Sequence, residues 1–226
     1  AGFTAQGIMP GDPDPNSIKL GDVEVAIRPR MFYKNTDTLT GGEQEAWVIG
    51  GFAGLRSPWV ANFFQFGAVG YVWQKLYGPA GKGGTLLLQP DQSSIYVLGE
   101  AWGAVRIAGQ TITGYRQLID RPFINTWDNR EIPQTFEAYS LTGAAGALSY
   151  TGGYLTKIKT RGSEDFLWAS QVAGAPGSKK GVIYAGATYT FANTGYIKLD
   201  DVYSTDVWNT FYIEGRYPFP FDDKTR

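Results

Sequence analysis

Apolar and polar residues alternate singly along most of this chain, which is the period of a strand and not of a helix. Between Asp22 and Lys34 the odd positions hold Val23, Val25, Ile27, Pro29, Met31 and Tyr33; the even ones hold Asp22, Glu24, Ala26, Arg28, Arg30, Phe32 and Lys34. Pro29 has no N–H for a ladder, so an edge or bulged position is expected there. In 95–107 the set Ile95, Val97, Gly99, Ala101, Gly103, Val105 and Ile107 opposes Glu100, Trp102 and Arg106. In 147–159 Leu148, Tyr150, Gly152, Tyr154 and Ile158 oppose Ser149, Thr151, Lys157 and Lys159, and the rhythm returns in 207–219. The pattern predicts ten strands, at 22–34, 43–56, 59–76, 93–108, 110–118, 135–144, 146–159, 181–191, 195–204 and 207–219.

Many of these exceed the ~5–6 residues usual in soluble sheets and match the ~9–11 of a tilted strand crossing a bilayer. Short turns at Ser57-Pro58, Ala108-Gly109, Gly143–Gly146 and Asn193–Gly195 alternate with longer loops at 35–42, 77–92, 119–134 and 160–180, the last of that series, 205–206, being the short exception. Short turns on one rim and long loops on the other are the habit of a transmembrane barrel. Helix is expected at most as a turn or two within 163–172.

Composition removes several function classes. The 226 residues include no Cys and no His, so there is no disulfide framework, thiolate or imidazole metal site, Cys nucleophile or Ser-His-Asp triad. Lys+Arg 20 against Asp+Glu 21 leaves a net charge of -1, without the basic field that nucleic acid requires. Adjacent acids such as Asp200-Asp201 point to opposite faces of a strand, which is wrong for paired acid/base work. The chain reads as no enzyme, with no cofactor and no metal. A mean hydropathy of -0.22 is compatible with a membrane barrel, because lipid-facing and lumen-facing residues cancel.

Two residue classes carry the functional expectations. Aromatics close the apolar faces: Phe32, Tyr33, Trp47, Trp59, Trp73, Tyr77, Tyr150, Tyr154, Trp208, Tyr212, Tyr217 and Phe219. They suit either the girdles of a membrane barrel or the binding face of a soluble carbohydrate-binding β-sandwich. Cations stand on the polar faces at Arg28, Arg30, Arg106, Arg116, Lys157, Lys159, Lys198 and Arg216. In a membrane barrel they must look into the lumen, since a midplane cation facing lipid costs ~2–4 kcal/mol. In a soluble sheet they form a solvated face. The loop from Pro122 to Phe136 is long, mixes charge with aromatics, and is a candidate constriction through Asp128, Arg130 and Glu131.

That same loop resembles the OprD family of outer-membrane porins. The family's segment reads Pro-Val-Phe, then Ser-Arg, two apolar residues and Pro-Gln-Thr; here it reads Pro122-Phe123-Ile124, then Asn129-Arg130-Glu131-Ile132-Pro133-Gln134-Thr135-Phe136. Trp102 to Ile107 before it, and Tyr150 to Tyr154 with Lys157 and Arg161 after it, agree with the family's flanks. The resemblance implies a passive channel for small, carboxylate-bearing solutes in a Gram-negative outer membrane. It implies an eighteen-stranded barrel of which this chain is the N-terminal half, one β-barrel domain over 1–226 that is incomplete, with 1–20 as a periplasmic segment. Arg130 then corresponds to the constriction arginine, and Arg28, Arg30, Arg106, Arg116, Lys157, Lys159 and Arg216 to a basic lumen track. Asn129 for Ser and Glu131 for an apolar residue depart from the family pattern. The expected partners are outer-membrane lipid, small anionic or zwitterionic solutes, and the remaining strands or another chain. A small closed barrel with a structural or scaffold role is the alternative if ten strands close alone.

Overall fold

The computed structural model describes residues 8–11, 18–37, 39, 42–127, 132–191 and 195–218. Its strands are β1 (Ile18–Leu20), β2 (Val23–Asp37), β3 (Glu43–Arg56), β4 (Phe64–Tyr77), β5 (Ile95–Ile107), β6 (Gln110–Gln117), β7 (Thr135–Ala145), β8 (Leu148–Lys159), β9 (Phe166–Trp168), β10 (Val182–Phe191), β11 (Gly195–Ser204) and β12 (Trp208–Arg216). One helical turn, α1 (Ala169–Val172), follows β9. All strands belong to one antiparallel sheet, paired in sequence order from β1 to β8 and then β10 to β12, with β9 capping the upper part of β8. Ten long strands answer the ten expected. Two three-residue strands add to them, and residues 57–63 form a connection where the alternation predicts the start of β4. One continuous sheet is not a sandwich, so the soluble carbohydrate-binding alternative falls.

Connection lengths differ by rim, with 57–63 and 205–207 as the exceptions. Residues 21–22, 57–63, 108–109, 146–147 and 192–194 join strands at one end; 38–42, 78–94, 118–134, 160–181 and 205–207 join them at the other. In the two-residue hairpin between β5 and β6, Ala108 and Gly109 both have positive φ, 49° and 78°, as a primed turn of type I′ requires. Among the described residues β1 and β12 are not paired with one another.

The two faces of the sheet differ in kind. One face is covered by the chain itself. Ile8, Val48, Val69, Tyr71, Trp73 and Trp102 belong to one buried cluster there, and Ile119, Ile124, Phe136, Leu155, Tyr184 and Val202 to a second. The other face is bare and apolar: Ile27, Met31, Ile49, Val72, Leu98, Ile112, Leu141, Ile183, Ile197 and Ile213 are all exposed. An apolar band running across a whole sheet far exceeds the patches that water tolerates on a monomer.

Aromatics border that band. Tyr33, Trp47 and Tyr77 form one cross-strand row at the long-loop rim, and Tyr139, Tyr154, Ile183 and Tyr203 another. The Tyr33 hydroxyl donates to Glu45 Oε1 at 2.8 Å, a polar tip on an apolar body as a membrane interface favours. At the opposite rim Tyr189, Phe191 and Tyr217 follow one another at ring distances of 6.1 and 6.4 Å. The girdle read from sequence is thereby corrected in part. Phe32 and Trp73 pack in the first covered cluster, Trp208 packs against the second, and Tyr212 shares its strand face with Trp208. Trp59 lies in the connection before β4, and Phe219 lies outside the described residues. Phe32 and Tyr33 are neighbours in a strand, so only one of them can face outward.

A bulge also corrects the face assignment in β5. Val69 pairs with Glu100, but Gly70 pairs with Leu98, leaving Gly99 as the extra residue. Below the bulge Ala101, Gly103, Val105 and Ile107 share the bare face; above it the outward residues are Tyr96 and Leu98, not Ile95 and Val97. An inserted residue reverses the parity of everything beyond it.

Candidate functional site

The covered face begins with a strap. Residues 8–11 run across β3, β4 and β5 and are held by side chains of the wall. The Ile8 N–H donates to both oxygens of Glu100, at 3.2 and 3.4 Å, and Trp102 Nε1 donates to Ile8 O at 3.0 Å. Arg56 Nη1 donates to Met9 O at 2.8 Å, and Gln65 and Trp59 both donate to Gly11 O at 3.0 Å. Tyr71 donates to Glu100 at 2.6 Å, and Arg56 Nε donates to Glu24 at 2.7 Å. Arg56 and Glu24 have side-chain exposures of 0 % and 5 %, so this pair is sealed from solvent. Residues 8–11 therefore lie against the wall, and residues 18–20 extend the sheet as β1.

The second wall is covered by the descending part of the loop between β6 and β7. Arg121 Nε donates to Asp200 Oδ1 at 2.7 Å, joining positions far apart in the chain. Lys198 Nζ stands 3.9 Å from the other oxygen of Asp200 and 5.9 Å from the Tyr212 ring centre. Tyr196 and Tyr212 donate to the two oxygens of Glu214, at 2.5 and 2.8 Å. Phe123 meets Tyr212 edge to face at 6.0 Å. Here Arg121 keeps 20 % exposure and Lys198 25 %. Beside this anchor lies a hollow of about 360 Å³, whose lining includes the hydroxyls of Thr111, Thr113, Ser140, Thr151 and Thr188. Hydroxyls donate and accept, so this lining suits polar solutes of either sign.

The cations singled out by sequence separate into groups. Arg28 and Arg30 alternate with the outward residues of β2 and share the covered face with Ala26 and Phe32. Arg28 Nη1 has no hydrogen-bond partner among the described residues. Arg106 stacks over the Trp59 ring at 4.1 Å. Arg216 pairs in register with Tyr196, beside Lys198. Arg116 and Lys157 do not join this row. Arg116 follows the opposite face from its neighbour Gln117, and both cations bind Glu137, at 3.2 and 3.1 Å. Glu137 alternates with Phe136 and Ala138 of the second covered cluster, which puts the trio on the bare side of the upper rim. Lys159 is fully buried and donates to the carbonyls of Pro133 and Thr160, at 2.9 and 3.2 Å. Asp128, Arg130 and Glu131 lie outside the described residues.

Arg121 and Asp200 were not singled out by the pattern. The available signal was parity: in 195–204 Asp200 stands in line with Tyr196, Lys198 and Val202, all on the covered face. Arg121 lies in a loop, where no period announces a direction. Among the described residues no cluster of acids could hold a metal ion.

A family model described as outer membrane porin, OprD family, matches residues 20–226. No curated protein matches the chain. Among solved structures, OccK9 (OpdG) of Pseudomonas aeruginosa is 22% identical with a TM-score of 0.74, covering 85% of this chain and 53% of that one. OccK2 (OpdF) of the same organism, solved in complex with glucuronate, is 18% identical with a TM-score of 0.70, covering 89% and 52%. OpdK of the same organism, solved with vanillate, is 21% identical with a TM-score of 0.72, covering 89% and 53%. The chain spans about half the length of these structures, and at such identities the likeness is one of fold.

Proposed function

Since the chain belongs to the OprD family of outer-membrane porins, we propose that small solutes bearing a carboxylate pass along its covered face by passive diffusion. The chain is barrel wall in the bacterial outer membrane, its bare apolar face turned to lipid and its covered face to the lumen. In lipid the edges of β1 and β12 need partner strands, so the proposal includes further wall from the same polypeptide or another chain.

The observation that carries the reading is the cation row on the lumen face. Arg28 and Arg30 stand two residues apart on the covered face of β2. Arg106 extends the row on β5, and Lys198 and Arg216 stand on the far wall. A planar guanidinium fork fits a carboxylate, and cations lining a narrow aqueous path draw anions in. Arg130, with Asp128 and Glu131, is proposed by motif position to set the constriction. The glucuronate and vanillate in the two related structures are both carboxylates, which favours this class of solute here.

The test is reconstitution of the outer-membrane protein in planar bilayers, with reversal potentials read across a salt gradient and small carboxylates added as competing permeants. The Arg28→Ala/Arg30→Ala variant is expected to lower carboxylate flux several-fold and to shift the reversal potential toward cation preference. Unchanged selectivity in that variant overturns the reading.

A further inference from the structure

A second feature lies on the lipid side, away from the lumen. At the long-loop rim, Tyr154, Ile183 and Tyr203 stand side by side on β8, β10 and β11, all exposed on the bare face. Lys179 and Lys180 sit above them, and the five residues line one groove together with Gly181 and Thr205. The loop that carries the lysines is built, not loose. Ser170 is fully buried and clasps Lys180 from both sides: its N–H donates to Lys180 O at 3.1 Å, and its hydroxyl accepts from the Lys180 N–H at 2.9 Å. Ser204 Oγ donates to Gly181 O at 2.9 Å. A Cβ at Gly181 would lie 2.6 Å from the Tyr154 hydroxyl oxygen, so the glycine lets the tyrosine tip rise to the level of the lysines.

The lining of the groove holds two lysines and no acid. Lys180 gives one of its three ammonium donors to Asp206 at 2.6 Å and keeps 40 % exposure, while Lys179 has no acidic partner among the described residues. Farther along the same side, Glu137 alone serves both Arg116 and Lys157. Cations directly above an aromatic and aliphatic strip match a ligand whose anionic head sits over its own acyl chains. A soluble anion would use the lysines and leave the strip unused.

We propose that this groove binds a phosphorylated glycolipid of the outer leaflet, with a phosphate on Lys179 and Lys180 and an acyl chain along Tyr154, Ile183 and Tyr203. The site rests on the outer-membrane location of the chain and is independent of what passes through the lumen.

The test is native mass spectrometry of the detergent-purified protein with bisphosphorylated lipid A, the same lipid A stripped of phosphate, and inorganic phosphate as competitor. The K179A/K180A variant is expected to bind bisphosphorylated lipid A at least tenfold more weakly. K179R/K180R is expected to retain binding, and Lys19→Ala, on the opposite rim, to bind like the parent. Heat-modifiable gel migration confirms that each variant is folded. The phosphate-free lipid is expected to bind parent and variant alike. Equal binding of bisphosphorylated lipid by parent and K179A/K180A overturns the proposal. So does displacement of the lipid by millimolar inorganic phosphate, which assigns the lysines to a soluble anion. A bound second copy of the protein, lost in the variant, assigns the groove to self-association instead.

Discussion

The two covered walls solve one problem in different ways. On β3 to β5 the covering strap, residues 8–11, is fastened by polar side chains that water does not reach: Glu100 and Arg56 are fully buried, and Glu24 nearly so. On β10 to β12 the covering loop is fastened by Arg121 to Asp200, beside Lys198, with the cations still partly exposed. A sealed ion pair holds geometry and offers nothing to a solute. A half-open pair holds the loop and leaves cation surface facing the path. The strap of the first wall is thus held by a structural seam, whereas the fastening of the second wall leaves cation surface exposed beside the loop.

The largest test of this contrast is Arg56→Ala. It removes the guanidinium from the buried Glu24 carboxylate, at a cost of ~3–5 kcal/mol, read as a lower urea midpoint of unfolding in detergent micelles. A loss as small as that of an exposed pair would show the seam to be wet. Next, Asp200→Asn weakens the Arg121 anchor, with ~1–3 kcal/mol expected. Its clearer sign is functional: larger current fluctuations and altered conductance as the loop loosens, with the unfolding midpoint moved less than by Arg56→Ala. If the midpoint falls further than for Arg56→Ala, the assignment of roles to the two walls is reversed. Trp102→Phe removes the indole N–H given to Ile8 O and part of the buried ring that packs on Gly67, for about 1–2 kcal/mol, and leaves conductance as it was. Limited proteolysis near residue 8 then reports whether the strap has lifted.

The smallest effect is one of pH, outside the membrane. The Asp91 carboxylate accepts from the Ser93 hydroxyl at 2.7 Å and from its N–H at 3.0 Å, and these bonds hold its pKa below the ordinary carboxylate value. A pKa lowered in the folded state contributes stability above the unfolded value and loses it as pH falls through the folded one. Hydrogen exchange in the 78–94 loop is therefore expected to rise on acidification once corrected for intrinsic rates, and Asp91→Asn to remove that dependence. The same pH profile in the Asp91→Asn variant as in the parent would discount the Ser93 contacts.

Much of the wall was legible because strand alternation is local. The odd set of β2, from Val25 to Tyr33, reads directly as its outward face, and Arg28 and Arg30 follow as inward. The sites where that reading fails are those where the backbone breaks its own period. Gly99 shifts β5, and the bulge opposite Glu137 and Ala138 shifts β8 at Thr156. Beyond these points parity no longer predicts direction, which is why Ile95 and Val97 turn inward. Lys159 shows a further limit: its run suggests a polar face, but neighbouring loops bury it against carbonyls.

The amino-acid sequence by itself determined the class of the molecule. Period-2 runs, their length, the alternation of short and long connections and the motif at Pro122 to Phe136 are properties of adjacent residues, and they lead to an outer-membrane porin wall. Only the tertiary structure decided which cations meet which acids. Arg121 with Asp200, Arg56 with Glu24 and Met9, and Lys179 above Tyr154 are pairings across distant strands and loops. A hydrogen bond depends on separation in space, and the register, bulges and loop paths that set that separation are properties of the assembled sheet.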